Sequence, residues 1–266
     1  MPEGDSLHRV ARLLRPDLEG KVLEGAFTRE RGELAHLVGR PVTKVEAIGK
    51  HLLIHIDREW AVRVHLGMKG RVRRYRRADP QPRMPTLRLD TAQLSFVCVR
   101  AYQAELIHRS RLRAHPKLRR LGPDLLGENI DVGAVLARAR LHGHRDRSIA
   151  DLLLDQRVAA GIGNVYKSEL LFLARVAPET LVRDVPDERL GTIYRDARRL
   201  LQYNLDTIER TTVPEERRPR PDSPRLFVYG RAGDPCLDCH TTIRCFLQGD
   251  LARPTYFCRS CQASPR

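Results

Sequence analysis

The chain has 266 residues, 41% of them hydrophobic, enough for about two domains and a sizeable core. Its formal net charge is +15, with six Lys against 42 Arg; arginine bias contributes, but the acids do not balance the excess, which favours a polyanionic partner, most simply nucleic acid. No apolar run is long enough to span a membrane, and the start lacks a basic-then-apolar signal segment, so a cytoplasmic protein is expected.

The chain opens Met1-Pro2-Glu3. An initiator Met before a small residue is normally trimmed, which leaves Pro2 with a free secondary amine. An α-amino group has a pKa near ~8, so part of it is neutral at pH 7 and able to attack an aldehyde carbon. Glu3 beside it is a ready proton donor or acceptor. Met-Pro starts are common, so the dipeptide alone does not settle a role. Residues 5–15 place Leu7, Val10, Ala11 and Leu14 on one helical face, with Asp5 as the expected N-cap.

Seven short Val/Ile/Leu-rich runs follow, at residues 21–27, 42–48, 51–56, 60–66, 71–75, 86–90 and 94–99. Gly49-Lys50 reads as a hairpin turn between two of them. Together they predict an α+β chain whose first domain, 1–115, is mostly antiparallel, a sandwich or a barrel-like fold. Lys50, at the hairpin tip, is one of the few lysines, placed to meet a phosphate or to be simply solvated. Met68 lies in the loop His65-Leu-Gly-Met-Lys-Gly70. It reads either as a buried loop residue or as a wedge between bases.

Residues 116–130 form a basic connector, and 131–225 read as a helical domain. Ser148-Ile-Ala-Asp151 resembles a capping box. Gly161-Ile-Gly163 breaks the helical pattern and Asn164 is expected to cap the next helix. Such a glycine turn exposes N–H groups that favour an anion, although an ordinary helix–helix turn has the same composition. A long helix is expected over about 187–208, then a basic, proline-rich linker at 214–225. The His residues flanking Gly143 read as surface.

The last segment, 226–266, holds Cys236-Leu-Asp-Cys239 and, eighteen residues on, Cys258-Arg-Ser-Cys261. That spacing fits tetrahedral zinc, and four thiolates would close the shell and make the ion structural. Two apolar runs joined through Gln248-Gly249-Asp250 predict a β-hairpin. Arg253 follows its turn, placed to meet a phosphate or to be simply solvated. Cys98 and Cys245 read as buried or incidental.

In this order the motifs resemble the bacterial DNA glycosylase/AP lyases called formamidopyrimidine-DNA glycosylase and endonuclease VIII. The resemblance rests on Pro2-Glu3-Gly4, Gly49-Lys50-His51-Leu52, His65-Leu-Gly-Met68, the stretch from Asp155 to Tyr166, and the four-Cys finger with Arg253-Pro254. It implies two lobes, the first a β-sandwich flanked by helices, the second with a helix–two-turn–helix element and one structural zinc, and duplex DNA in the cleft between them. It implies that Pro2 attacks C1′ of the damaged nucleotide and that Glu3 assists ring opening and later proton transfers. Lys50, Asn164 and Arg253 would grip phosphates while the damaged base is flipped out. A monomer associated with the bacterial nucleoid is expected. The Pro-Glu-Gly start resembles the endonuclease VIII branch, as does the absence of an Arg-Arg-Phe-Gly stretch, whose counterpart is Val99-Arg-Ala-Tyr-Gln103. Met68 instead resembles the wedge of the purine-repair branch. Oxidised pyrimidines are therefore expected ahead of 8-oxoguanine; the alternatives are an 8-oxoguanine-type enzyme and a non-catalytic DNA-binding protein.

Overall fold

The computed structural model describes residues 1–207, 209–249 and 252–263, and the chain divides into two compact units, Met1–Arg120 and Leu121–Arg266.

The first unit begins with helix α1, Gly4–Leu18. Asp5 is not its N-cap. Glu3, whose backbone is extended, holds that place, and its N–H donates to Ser6 Oγ at 3.3 Å. Asp5 lies inside the first turn, where its carboxylate takes the Ser6 N–H at 2.7 Å. Acids are favoured there by the positive end of the helix dipole. The apolar face buries Leu7, Ala11, Leu14 and Leu18.

Nine strands build two antiparallel sheets. They are β1 (Gly25–Thr28), β2 (Gly32–Glu33), β3 (Val42–Ile48), β4 (His51–Ile56), β5 (Trp60–His65), β6 (Arg71–Arg76), β7 (Leu87–Asp90), β8 (Leu94–Val99) and β9 (Gln103–His108). One sheet runs β2-β1-β7-β8-β6, the other β3-β4-β5-β9. Val45, Ile54, Val62 and Val64 from one meet Ala26, Leu89 and Phe96 from the other, and α1 closes the same core. Cys98 lies in that core, and burial pushes its thiol up to about 12. Edge strand β6 carries Arg71, Arg73, Arg74 and Arg76, all exposed, and such charges discourage edge-to-edge pairing.

The strand expected at 21–27 starts only at Gly25, because residues before it make a single bridge, Val22 to Pro41. Strands β2 and β9 were not expected: β2 has two residues, and β9 sets only Ala104, Leu106 and Ile107 among the polar Gln103, Glu105 and His108. The turn at Gly49-Lys50 is present, with Gly49 at φ 55° in the left-handed region that favours glycine.

After a short helix α2 (Arg109–Leu112), the second unit packs α3 (Val132–Ala139), α4 (Ile149–Leu154), α5 (Asn164–Leu173) and α6 (Asp187–Tyr203). Ser148 caps α4 as expected, accepting the Asp151 N–H at 3.1 Å. The N-cap of α5 is Gly163, not Asn164, whose amide is used elsewhere. Helix α6 buries Leu190, Ile193, Tyr194, Ala197, Leu200 and Leu201, and it ends at Tyr203, short of the expected 208; Ile208 lies outside the described residues. The proline-rich 214–225 segment includes one 3-10 turn, Glu215–Arg217. The tail forms a hairpin of β10 (Arg244–Gln248) and β11 (Arg253–Phe257); its expected turn residue Asp250 lies outside the described residues. Cys245 on β10 is exposed.

Helix α5 is buried from Asn164 through Phe172, so its polar side chains need partners inside the protein. Lys167 Nζ donates to Thr255 Oγ1 on the hairpin at 2.6 Å. Ser168 Oγ accepts the Tyr256 N–H at 3.4 Å. Glu169 accepts the N–H groups of Phe227, Val228 and Tyr229 at 2.8, 2.9 and 2.8 Å, and the Thr212 hydroxyl as well. Burial pushes its carboxyl above the ordinary value, against the pull of these four donors. Polar residues on α5 therefore tie the hairpin and the preceding loop to the helical core.

Candidate nucleic-acid site

Pro2, Glu3, Lys50 and Met68 belong to the first unit; Asn164, Arg253 and the tail thiols belong to the second. Pro2 is half-buried immediately ahead of α1, and Glu3 behind it is fully buried. Pro2 and Glu3 thus stand together at the start of α1, Glu3 enclosed and Pro2 in part accessible.

Lys50 is half-buried on the β3–β4 turn, and Met68 is 62% exposed on the β5–β6 loop. The alternative of a buried Met68 is thereby excluded. Tyr102, at the β8–β9 turn, is also exposed, and a side chain at Gly67 would come within 2.9 Å of its Cβ. Two exposed side chains, Met68 and Tyr102, thus rise from adjoining loops. Below them His65 packs edge-on against Tyr102, with ring centroids 5.8 Å apart, and tilts against His51 at 5.1 Å. Burial, with help from Arg63, holds both histidines well below their ordinary value, His51 at about 3 and His65 at about 4. Both rings are neutral at pH 7.

In the second unit Asn164 Nδ2 donates to the carbonyl of Pro254 at 2.6 Å, which places it beside Arg253. Arg253 is half-buried at the start of β11, paired with Gln248. Gln248 in turn donates to Ser148 Oγ at 2.6 Å and accepts from Thr255 Oγ1 at 3.1 Å. The hairpin end that carries Arg253 is therefore pinned to the N-terminus of α4 and to α5.

The four sulfurs of Cys236, Cys239, Cys258 and Cys261 lie within 4.8 Å of one another. The Cys236–Cys261 and Cys239–Cys258 separations are 3.9 and 3.4 Å. Zn–S bonds of ~2.3 Å in a tetrahedron put sulfurs about 3.8 Å apart, so the set fits one ion.

Formamidopyrimidine-DNA glycosylase models match two stretches: the N-terminal domain over residues 1–104 and the H2TH domain over 121–214. The chain belongs to the formamidopyrimidine-DNA glycosylase/endonuclease 8 family. A probable endonuclease 8 2 of Streptomyces coelicolor is 37% identical, covering 100% of this chain and 95% of that protein. The DNA-(apurinic or apyrimidinic site) lyase Nei2 of Mycolicibacterium smegmatis is 36% identical over 99% and 100%. The formamidopyrimidine-DNA glycosylase of Edwardsiella ictaluri is 30% identical over 98% and 100%. In fold, the chain matches the Lactococcus lactis enzyme solved with DNA containing an abasic site, at a TM-score of 0.83, 22% identity, and 99% and 100% coverage. Within this family fold, sequence reasoning missed the buried Arg63 and Lys167 and the exposed Tyr102. Local pattern carries no signal for an internal charge; Tyr102 was legible only as part of the Val99–Gln103 stretch.

Proposed function

We propose that this protein is a bifunctional DNA glycosylase and AP lyase that removes oxidised bases, pyrimidines ahead of 8-oxoguanine, from duplex DNA. The observation that supports it best is the half-buried Pro2 next to a fully buried Glu3 at the start of α1, in a chain whose relatives along its full length are named as an endonuclease 8, an AP-site lyase and a DNA glycosylase.

Once Met1 is removed, the Pro2 nitrogen is a neutral secondary amine in part of the population at pH 7. It attacks C1′, the glycosidic bond breaks, and the base leaves with a proton. The bond from Pro2 to C1′ becomes an iminium as the sugar ring opens, with Glu3 supplying the proton to the ring oxygen. Loss of a C2′ proton then expels the 3′ phosphate by β-elimination. Lys50, Asn164 and Arg253 hold phosphates, and Met68 fills the space left by the flipped base. The four thiolates hold one zinc ion, which fixes the hairpin and takes no part in the reaction. In a bacterial cell such a protein works at the nucleoid.

Borohydride reduction tests this reading. Trimmed protein should be trapped covalently on DNA with an abasic site, and protein carrying an extra residue before Pro2 should not. Equal trapping of both forms would remove Pro2 from the role. No trapping of either, with tight damage-selective binding, would leave a non-catalytic DNA-binding protein.

A further inference from the structure

Arg63, in the middle of β5, is fully buried. A guanidinium never loses its charge in a protein and has only donors, so burying it demands acceptors on several sides. Arg63 finds three. Its Nε donates to Glu105 Oε1 at 2.6 Å, Nη1 to His51 Nδ1 at 2.9 Å and Nη2 to Gln103 Oε1 at 2.5 Å. Because Arg63 can only donate, His51 Nδ1 must accept, which fixes that ring as the neutral Nε2–H form.

Two of these partners, and Arg63 itself, lead to candidate DNA contacts. His51 directly follows Lys50. Gln103 directly follows Tyr102. Arg63 itself lies two residues before His65, which leads into Leu66-Gly67-Met68. The Met68 loop and Tyr102 abut at Gly67, which has φ 65° and no room for a side chain against Tyr102. The cluster is braced from behind. His115 pairs with Glu105 at 2.6 Å, and Lys117 donates to Gln103 Oε1 at 3.3 Å while lying over the Tyr102 ring at 5.5 Å. Arg100, ahead of Tyr102, adopts a left-handed backbone at φ 54°, so the turn that presents the ring is held in an uncommon conformation.

We propose that Arg63 is a positioning residue that locks Lys50, Met68 and Tyr102 into one rigid front for the distorted strand. The inference rests on the DNA glycosylase reading. Lysine at 63 keeps the charge, but a single ammonium cannot donate along the three directions of a planar fork.

The test uses the full chain. Arg63→Lys should speed amide exchange at residues 50–51, 66–68 and 101–103 together in the DNA-free protein. It should also lower the ratio of base excision from duplex to β-elimination at a single-stranded abasic site at least fivefold. Gln103→Met and Tyr102→Ala should each slow duplex excision, and the double variant should be no slower than Tyr102→Ala alone, because both act through the ring. Exchange unchanged at the three tips, or strictly additive effects of Gln103 and Tyr102, would overturn the proposal. If Arg63→Lys does not fold, the Gln103–Tyr102 cycle decides. Wild-type protein that excises and traps nothing would refute the enzymatic reading instead, and the exchange measurement would still judge Arg63.

Discussion

Replacing Glu169 by alanine should loosen the second unit more than any change on its surface. The carboxylate is fully buried and takes three backbone N–H groups, from Phe227, Val228 and Tyr229, and the Thr212 hydroxyl. Thr212 can rotate toward another acceptor; the three amides cannot. A buried donor left unsatisfied costs ~1–3 kcal/mol, so three cost roughly 3–9 kcal/mol. Relief from burying a carboxylate offsets several kcal/mol of that. We expect a net loss of roughly 4 kcal/mol, hence a fall in Tm on the order of 8–16 °C for a unit of this size. Glu169→Gln separates the contributions. Its carbonyl can serve Val228 and Tyr229, while its NH2 faces the Phe227 N–H, donor against donor; a loss of roughly 2 kcal/mol is expected. Calorimetry and urea unfolding of the metal-loaded protein measure both. An alanine variant within ~1 kcal/mol of wild type, or a glutamine variant as damaged as alanine, would refute the reasoning.

His51 and His65 are held neutral in the fold, at about 3 and about 4, against an ordinary 6.5. Between those values the unfolded chain binds more protons, so stability should fall as pH drops below 6.5, by up to about 1.4 kcal/mol per pH unit for each ring. Urea midpoints flat from pH 7 to pH 5 would contradict this. Cys258→Ser should abolish stoichiometric zinc and weaken DNA binding together, and native mass spectrometry finding no metal in active protein would exclude a zinc finger. Arg253→Ala should keep the zinc and reduce the log–log salt slope of DNA binding by ~0.9; an unchanged slope would mean that it touches no phosphate. Single-turnover rates should favour thymine glycol over 8-oxoguanine, and Met68→Ala should slow excision from duplex more than from single strands. Faster release of 8-oxoguanine opposite cytosine would reverse the assignment.

What the sequence revealed was local. Leu7, Ala11 and Leu14 share one helical face by spacing alone, Gly49 marks a turn because few residues accept its φ, and four cysteines in two pairs announce a common ligand site. What it concealed depended on distant partners. Asp5 and Asn164 both resemble caps, yet the cap falls two residues earlier at Glu3 and one residue earlier at Gly163, and Asn164 spends its amide on Pro254, ninety residues away. Strand β9 reads as polar because Gln103 and Glu105 face Arg63, an internal charge that only the folded sheet brings to them. Lys167 looks like a surface lysine until Thr255 of the hairpin covers it.

Cys236 and Cys258 are nearly inaccessible and line an apolar interior with Phe172 of α5, Phe227 and Ile243. Phe172 stacks on Phe227 at 5.1 Å, Arg175 and Arg217 lie over the outer faces of the pair, and both guanidinium groups close onto Asp238, between the first two thiols. The cysteine tail is therefore not a detachable module. A chimera that imported a finger from another protein would have to import the matching side of α5 and the loop through Phe227 as well, or the grafted thiols would face a wall shaped for someone else's residues.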